Sequence, residues 1–497
     1  MSLLDTRAAE HLCFNEPLIF EISGGGRQGF ALPAIDVPER PLAEMVPGGR
    51  LRETLEGFPE VSEVQVMRHY TRLSTWNYNI EAGMYPLGSC TMKYNPRVNE
   101  QMARLKGFAT AHPLQEEEVS QGCLEVIDEL QKALLVITGL QAVTLHPVAG
   151  AHGELTAILM ICAYHQSNGS ARKVMLVPDS AHGTNPASAA YAGYEVVTLR
   201  SNERGCVDLQ ELDRLMTDMV AGVMLTIPNT LGIFEENIRE VSRLVHDRGG
   251  LIYMDGANMN ALVGLVRPGE MGVDALHLNL HKTFSTPHGG GGPGGGAVAV
   301  SKTLQPFLPV PVLERSAEAD GRLAWREDMP QSIGRIRAFQ GNFGVIVRAL
   351  SYILSCGAPG MREIAEAAIV HANYLRKRLE GTFHLPFAAP HMHEVVLSDR
   401  NQASCGVNNI DIAKRLIDFG FHPPTVSFPL IVPGALMIEP TESENREELD
   451  QFVQAMLEID AECRQKPEVL KSAPHRTRRS RFDEATAARK PELRWAP

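Results

Sequence analysis

The run Leu276-His-Leu-Asn-Leu280-His-Lys282, followed by a stretch from Gly289 to Gly296 that is glycine everywhere except Pro293, decides how this chain is read. A short strand-like segment ends in a histidine and a lysine. A lysine there can be kept from bulk water and used as an amine nucleophile. Upstream, Leu251-Ile-Tyr-Met254 is a second strand-like run, and it ends in Asp255. An acid and a lysine on consecutive strand ends say more than a lone lysine. The amine can form a Schiff base with a carbonyl cofactor, of which pyridoxal phosphate is the natural one. The acid can pair with its pyridinium nitrogen.

The neighbouring sequence alternates strand-like and helical patterns from about 140 to 300. Strands are predicted at Ala142–Leu145, Lys173–Val177, Glu195–Leu199, Gly222–Thr226, Leu251–Met254, Leu276–Leu280 and Ala297–Val300. Several are nearly continuous apolar runs, as expected of strands covered on both faces. Between them, Asp208 can cap a helix through about Met219, and Glu236–Asp247 carries apolar positions at Ile238, Val241, Leu244 and Val245. The fold class is therefore α/β, a doubly covered and mostly parallel sheet with right-handed crossovers. Ligands of such sheets sit at the carboxyl ends of the strands. That brings Gly150–Glu154, Ser180–Asn185, Asp255–Asn258 and His281-Lys282 to one expected cleft.

With 497 residues the chain exceeds one typical core. Residues 1–100, irregular and rich in Gly and Pro, suit an arm and a substrate-side loop. Residues 101–345 form the large cofactor domain, and 346–464, with a helix at Met361–Leu379, a smaller α/β domain. Residues 465–497 form a basic extension that also carries acids. A formal charge of −12 speaks against nucleic-acid binding. The eight cysteines form no CxxC pair, which argues against disulfides or a zinc site and for a reducing compartment. Met1–Arg7 has no signal or transit character, and no stretch approaches about 20 apolar residues. The expected setting is cytoplasmic, with no membrane.

Individual residues keep alternatives. The glycine run lacks P-loop order and suits a tight turn beside Lys282, whereas Gly150-Ala-His-Gly before a helix over Glu154–Tyr164 is the better phosphate site, because the helix amino terminus adds its positive end. His182 is placed to lie on a cofactor ring or to cap the turn before Asn185. Asn258 can donate to a cofactor oxygen or satisfy its own turn. His391, His393 and Glu394 lack the order of a helical zinc site, so structural roles are favoured and no metal is expected. Cys90 reads as a packed thiol. It is also the one candidate for the mobile cysteine that a desulfurase would need.

Tyr85-Pro-Leu-Gly-Ser-Cys-Thr-Met-Lys-Tyr-Asn-Pro96, Ser180-Ala-His-Gly-Thr-Asn-Pro-Ala187, Asp255-Gly-Ala-Asn-Met-Asn-Ala261 and His277-Leu-Asn-Leu-His-Lys-Thr-Phe284 resemble the P-protein of the glycine cleavage system. The resemblance runs from about Leu18 to His475. It implies an aspartate-aminotransferase-like fold of type I and a glycine dehydrogenase activity: pyridoxal-phosphate-dependent decarboxylation of glycine with transfer of the aminomethyl group to the lipoyl arm of H-protein. Length about half that of the single-chain form, with the lysine retained, resembles subunit 2 of the split form. It implies an α2β2 heterotetramer with subunit 1. By motif, Lys282 is the Schiff-base lysine, Asp255 the partner of the ring nitrogen and His182 the ring-stacking group. Asn258 and His281 would touch the phenolate oxygen and phosphate, and Ala151 and His152 would offer amides to the phosphate. Tyr85, Ser89, Cys90, Thr91, Lys93 and Asn95 would border the glycine pocket.

Overall fold

The strand-like runs form one seven-stranded sheet in a computed structural model of the chain. The structure describes residues 16–495 other than 47, 49, 53, 113, 114, 171, 290, 291, 293 and 316–320. The Met1–Arg7 reading and positions 290, 291 and 293 of the glycine run lie outside the described residues.

In chain order the elements that matter are α1 (Glu63–Ser74), α2 (Arg97–Ala103), α3 (Glu117–Thr138), β1 (Ala142–Thr144), α4 (Gly150–Ser167), β2 (Val174–Pro178), α5 (Thr184–Tyr191), β3 (Glu195–Leu199), α6 (Leu209–Leu215), β4 (Val220–Thr226), α7 (Ile238–Asp247), β5 (Leu251–Gly256), β6 (Ala275–Asn279) and β7 (Gly296–Val300). The sheet order is β1-β7-β6-β5-β4-β2-β3. β7 runs antiparallel to both of its neighbours, and the pairs from β6 to β3 are parallel.

The apolar runs split by parity. Leu176, Val223, Leu225, Ile252, Met254, Leu276 and Leu278 join Leu130 and Leu134 of α3 and Val241 of α7 in one core. Met175, Val177, Met224, Tyr253 and Ala275 join Ile158, Met160 and Ile161 of α4 in another. Both faces are thus covered, which is why the strands alternate little in polarity. On the α4 face β4, β5 and β6 turn polar at their carboxyl ends. Thr226 follows Met224, Asp255 follows Tyr253, and His277 and Asn279 follow Ala275. The site is built from that change.

Asp208 caps α6 through its carboxylate, which accepts from the amides of Gln210 (2.9 Å) and Glu211 (3.2 Å). The helix ends at Leu215 rather than near Met219, because Met216 leaves helical backbone to lead into β4.

Farther along the chain lie β8 (Val312–Arg315), β9 (Leu323–Arg326), α8 (Phe343–Leu379), β10 (Val395–Ser398), α9 (Asn409–Asp418), β11 (Thr425–Val426), β12 (Ala435–Ile438) and α10 (Arg446–Gln465). β12 lies between β10 and β11 in an antiparallel sheet. α8 is long and apolar enough to cross a membrane by length and composition alone. It is broken at Gly357 (φ 61°), and its Ile346, Ala349, Leu350, Tyr352, Met361 and Ala365 pack into the first core.

Two compact units result. One comprises Ile80–Leu416 and Phe421–Lys471 and holds the seven-stranded sheet, the three-stranded sheet and the β8–β9 pair. The other gathers the described residues up to Asn79 with Ile417–Gly420 and the segment from Ser472. Within this second unit α1 opens on a Ser62/Gln65 capping box, Phe20 stacks on Trp495 at 4.9 Å, and Arg478 lies over Trp76.

Candidate active site

The carboxyl ends of the strands open on a cavity of about 220 Å³ whose lining includes Ser89, Ala151, His182, Asp255, His281 and Lys282. Lys282 stands on the turn after β6, where its amide donates to the Asn279 carbonyl (3.1 Å). No hydrogen-bond or ion-pair partner is found for its ammonium group among the described residues. Asp255 is 2% exposed, and its Oδ1 accepts from the Ala257 amide (2.9 Å).

Gly150 starts α4 at the cavity wall. The first intrahelical bond runs from the Gly153 amide to the Ala149 carbonyl, which leaves the amides of Gly150, Ala151 and His152 without helical acceptors at the positive end of an 18-residue helix. Gly150 and Ala151 line the cavity. The His152 ring turns back, its Nδ1 accepting from the Val148 amide (3.3 Å). The described end of the glycine run packs beside this turn: a Cβ at Gly294 would meet the His281 ring at 2.3 Å, and the Leu280 amide donates to the Gly295 carbonyl.

Glu154, His277 and Asn279, three cavity residues that the motifs did not single out, carry much of the polarity. Glu154, Asp255 and His277 bring ligand atoms within 4.8 Å of one another. Burial first, then the Asp255 charge, raise the pKa of Glu154 well above the usual carboxylate range. Glu154 Oε1 accepts from the Thr184 hydroxyl (2.8 Å), and Oε2 is buried without a partner. Asn279, third of this group, extends a chain of hydrogen bonds along β6. With its amide oriented as it is, the Tyr253 hydroxyl donates to His277 Nδ1 (2.6 Å), His277 Nε2 to Asn279 Oδ1 (3.0 Å) and Asn279 Nδ2 to His281 Nε2 (3.4 Å), while His281 Nδ1 lies 3.1 Å from the Gly295 carbonyl and 3.2 Å from the Gly295 amide nitrogen. Burial holds His277 below the ordinary histidine value and, with the nearby His288, pushes His281 down to about 3, so both rings are neutral. The period-2 placement of His277, Asn279 and His281 on one strand face was a signal available in the sequence.

His182 faces the cavity with its Nδ1 2.8 Å from the Thr184 hydroxyl, and the adjoining protein, by desolvation, lowers its pKa. Asn258 lies behind the wall, its amide donating to the Pro228 carbonyl (2.9 Å) and to Glu394 (3.3 Å).

Of the loop residues proposed for substrate, Ser89 lines the cavity. Tyr85 stacks on His422 at 4.0 Å. Asn95 donates to Ser285 Oγ (3.2 Å). Lys93 turns inward, with Nζ donating to Glu442 (2.8 Å), Asn260 (2.9 Å) and the Tyr352 oxygen (3.2 Å). Burial raises the pKa of the Cys90 thiol, which works against a thiolate there. Thr91 is buried, its amide donating to Glu439.

The residues fit a pyridoxal phosphate group. A free amine stands in the cavity with a buried carboxylate, an orphaned carboxyl oxygen points to an absent polar partner, and the helix start is open to an anion where a Cβ would not fit. A mostly parallel sheet with this lysine at its carboxyl edge defines the class: a pyridoxal-phosphate enzyme of fold type I. The aminotransferase class-V model matches residues 150–313, and the model of the glycine dehydrogenase C-terminal domain matches residues 364–475. The chain is 55% identical to the "Probable glycine dehydrogenase (decarboxylating) subunit 2" of Caldanaerobacter subterraneus subsp. tengcongensis, over 96% of this chain and 98% of that one. It is 52% identical to the protein of the same name from Bacillus licheniformis, over 97% and 99%. This chain belongs to the glycine dehydrogenase (decarboxylating) subunit 2 family, and its cofactor is pyridoxal 5′-phosphate. In fold it is similar to a crystal structure of glycine decarboxylase, the P-protein of the glycine cleavage system, in inhibitor-bound form (TM-score 0.69, 21% identity, 86% of this chain and 92% of that one). It is also similar to the apo cysteine desulfurase of Thermococcus onnurineus NA1 (TM-score 0.59, 16% identity, 77% and 95%).

Proposed function

We propose that this chain decarboxylates glycine and passes the aminomethyl group to the lipoyl disulfide of H-protein, working in the cytoplasm as the lysine-bearing half of an α2β2 assembly with subunit 1. The observation that carries the reading is the Lys282 amine, unpartnered among the described residues, in one cavity with the buried Asp255 carboxylate.

Lys282 is proposed to hold the cofactor covalently, and Asp255 to keep a proton on its ring nitrogen. His182, which lines the cavity, would lie against the ring. The amides of Gly150, Ala151 and His152 would take the phosphate, and His281, whose Nε2 accepts from Asn279, would border it without donating. Asn258 spends its amide hydrogens on Pro228 and Glu394, so its contribution is to fix the turn after Asp255. When bound, pyridoxal phosphate supplies a sink for the electron pair left as carbon dioxide departs. Asp255 stabilises that charge redistribution more than it stabilises bound glycine, which is what speeds a reaction.

The test is borohydride reduction of the cofactor-loaded chain with peptide mapping, alongside glycine–bicarbonate exchange with and without subunit 1 and lipoylated H-protein. Label at Lys282, lost together with exchange in Lys282→Ala, is expected. Label elsewhere, or exchange retained in that variant, refutes the reading.

A further inference from the structure

Ser89 and Thr91 flank Cys90 with backbone in the left-handed region, at φ 63° and 49°. A β-branched threonine there is a true outlier, and such conformations persist only where the surroundings over-determine them. The surroundings here are two carboxyl groups. Glu394 Oε2 accepts from the Ser89 amide (3.0 Å) and Glu439 Oε2 from the Thr91 amide (2.9 Å). Both acids are 0% exposed.

Their placement is a matter of register. Val395 of β10 pairs with Ile438 of β12, so Glu394 and Glu439, one residue beyond each, face each other at the sheet's end. The loop is seated on the same strand: Leu87 bridges Ile438, the Glu439 amide donates to the Pro86 carbonyl (3.3 Å), and the Thr425 hydroxyl donates to the Gly88 carbonyl (2.8 Å). At Gly88 a Cβ would come within 2.2 Å of Met437, so the backbone lies directly on β12. Ser89, the first residue of the turn, lines the cofactor cavity, and the charges of Lys282, Glu439 and Glu394 all reach the Cys90 thiol.

We propose that Glu394 and Glu439 are positioning residues that set amino-acid selectivity, by clamping the Ser89-Cys90-Thr91 turn against the cavity so that the space above Lys282 admits an α-carbon without a side chain. This rests on the glycine reading above. Neither acid lines the cavity, so each acts through the turn.

Glu439→Met removes the acceptor at similar volume, Glu439→Gln keeps an oxygen for the Thr91 amide, and Thr91→Gly makes the left-handed backbone easy without a clamp. The selectivity is read as the ratio of alanine to glycine dissociation constants, from the visible spectrum of the cofactor-loaded complex with subunit 1. It should fall by about threefold or more in Glu439→Met and Glu394→Met, since one methyl group is discriminated about tenfold or more where a pocket is tight. It should stay near wild type in Glu439→Gln and recover in the Thr91→Gly/Glu439→Met pair. Independently of any cofactor, mapped alkylation of Cys90 should accelerate in Glu439→Met. Should that variant not fold, Glu439→Asp, which keeps the charge and withdraws it by one methylene, carries the same expectations. A smaller fall, failure of Thr91→Gly to restore selectivity, or unchanged Cys90 alkylation overturns the proposal. So does a stoichiometric divalent metal in the dialysed protein, because His393, Glu394 and Glu439 would then be ligands. Failure of the glycine reading itself would show separately, as absent labelling of Lys282 in the wild-type chain.

Discussion

A Cβ at Gly150 would lie 2.3 Å from Nδ2 of Asn279. The first turn of α4 therefore rests on the β6 side chain that also contacts His281, and the α4 start and the lysine turn are one packed assembly. Gly150→Ala must push the two apart. Cofactor affinity should weaken by about tenfold or more, equivalent to ~1.4 kcal/mol, in a titration followed by absorbance. Unchanged affinity would show that the helix start does not contact the cofactor.

Tyr253 donates to His277 Nδ1 at 2.6 Å, and both residues are buried. Tyr253→Phe leaves that nitrogen unpaired, which should lower stability by about 1–3 kcal/mol. Denaturant unfolding of the cofactor-free protein measures it. A neutral outcome would mean that the chain of donors along β6 does not start at Tyr253.

Lys93 and Glu442 form an ion pair whose side chains are 1% and 11% exposed. Burial raises the Glu442 pKa, but the Lys93 charge and the hydrogen bonds outweigh it and hold the acid below the usual carboxylate range. Lys93→Met strands the carboxylate and should cost about 3–5 kcal/mol. Adding Glu442→Gln should recover most of that. A double-mutant cycle with no coupling would contradict the pairing.

His246 Nε2 lies 2.8 Å from Asp274 Oδ2, and this hydrogen bond raises the histidine pKa above 6.5 despite partial desolvation. A raised folded-state pKa means the stabilisation is complete below pH 6.5 and is lost as pH rises through the folded value. The ring is 39% exposed, so the contribution is about 1 kcal/mol or less. Melting temperature against pH for wild type minus His246→Gln should show a gap at low pH that closes above neutrality. A gap that widens with pH would reverse the sign and sink the assignment.

Asp255→Ala should retain some bound cofactor through Lys282 and α4 yet lose about 10²-fold or more of its exchange rate, as removal of a charge-stabilising group does. Exchange within a few-fold of wild type would exclude Asp255 from the reaction.

Much of the site was legible because it is local. Lys282, Asp255 and Gly150 sit at the ends of strands or the start of a helix whose patterns span a handful of residues, and in a parallel sheet such ends converge whatever the detailed packing. The apolar runs of β4, β5 and β6 likewise declared strands buried on both faces. Strand parity placed His277 and Asn279 beside His281, although that signal lay unused among the motifs.

Other features depend on contacts between distant parts of the chain. The Ser89 amide meets Glu394 across 305 residues and the Thr91 amide meets Glu439 across 348, and no periodicity links segments so far apart. Lys93 belongs by motif to the loop assigned to substrate, yet Glu442, Asn260 and Tyr352 draw its ammonium group inward. Sequence alone determined which residues are candidates for the proposed chemistry, since covalent character and strand-end position are local properties. Tertiary structure alone decided which polar groups are free to use it, because a buried donor or acceptor is taken by whichever partner the fold brings within about 3 Å.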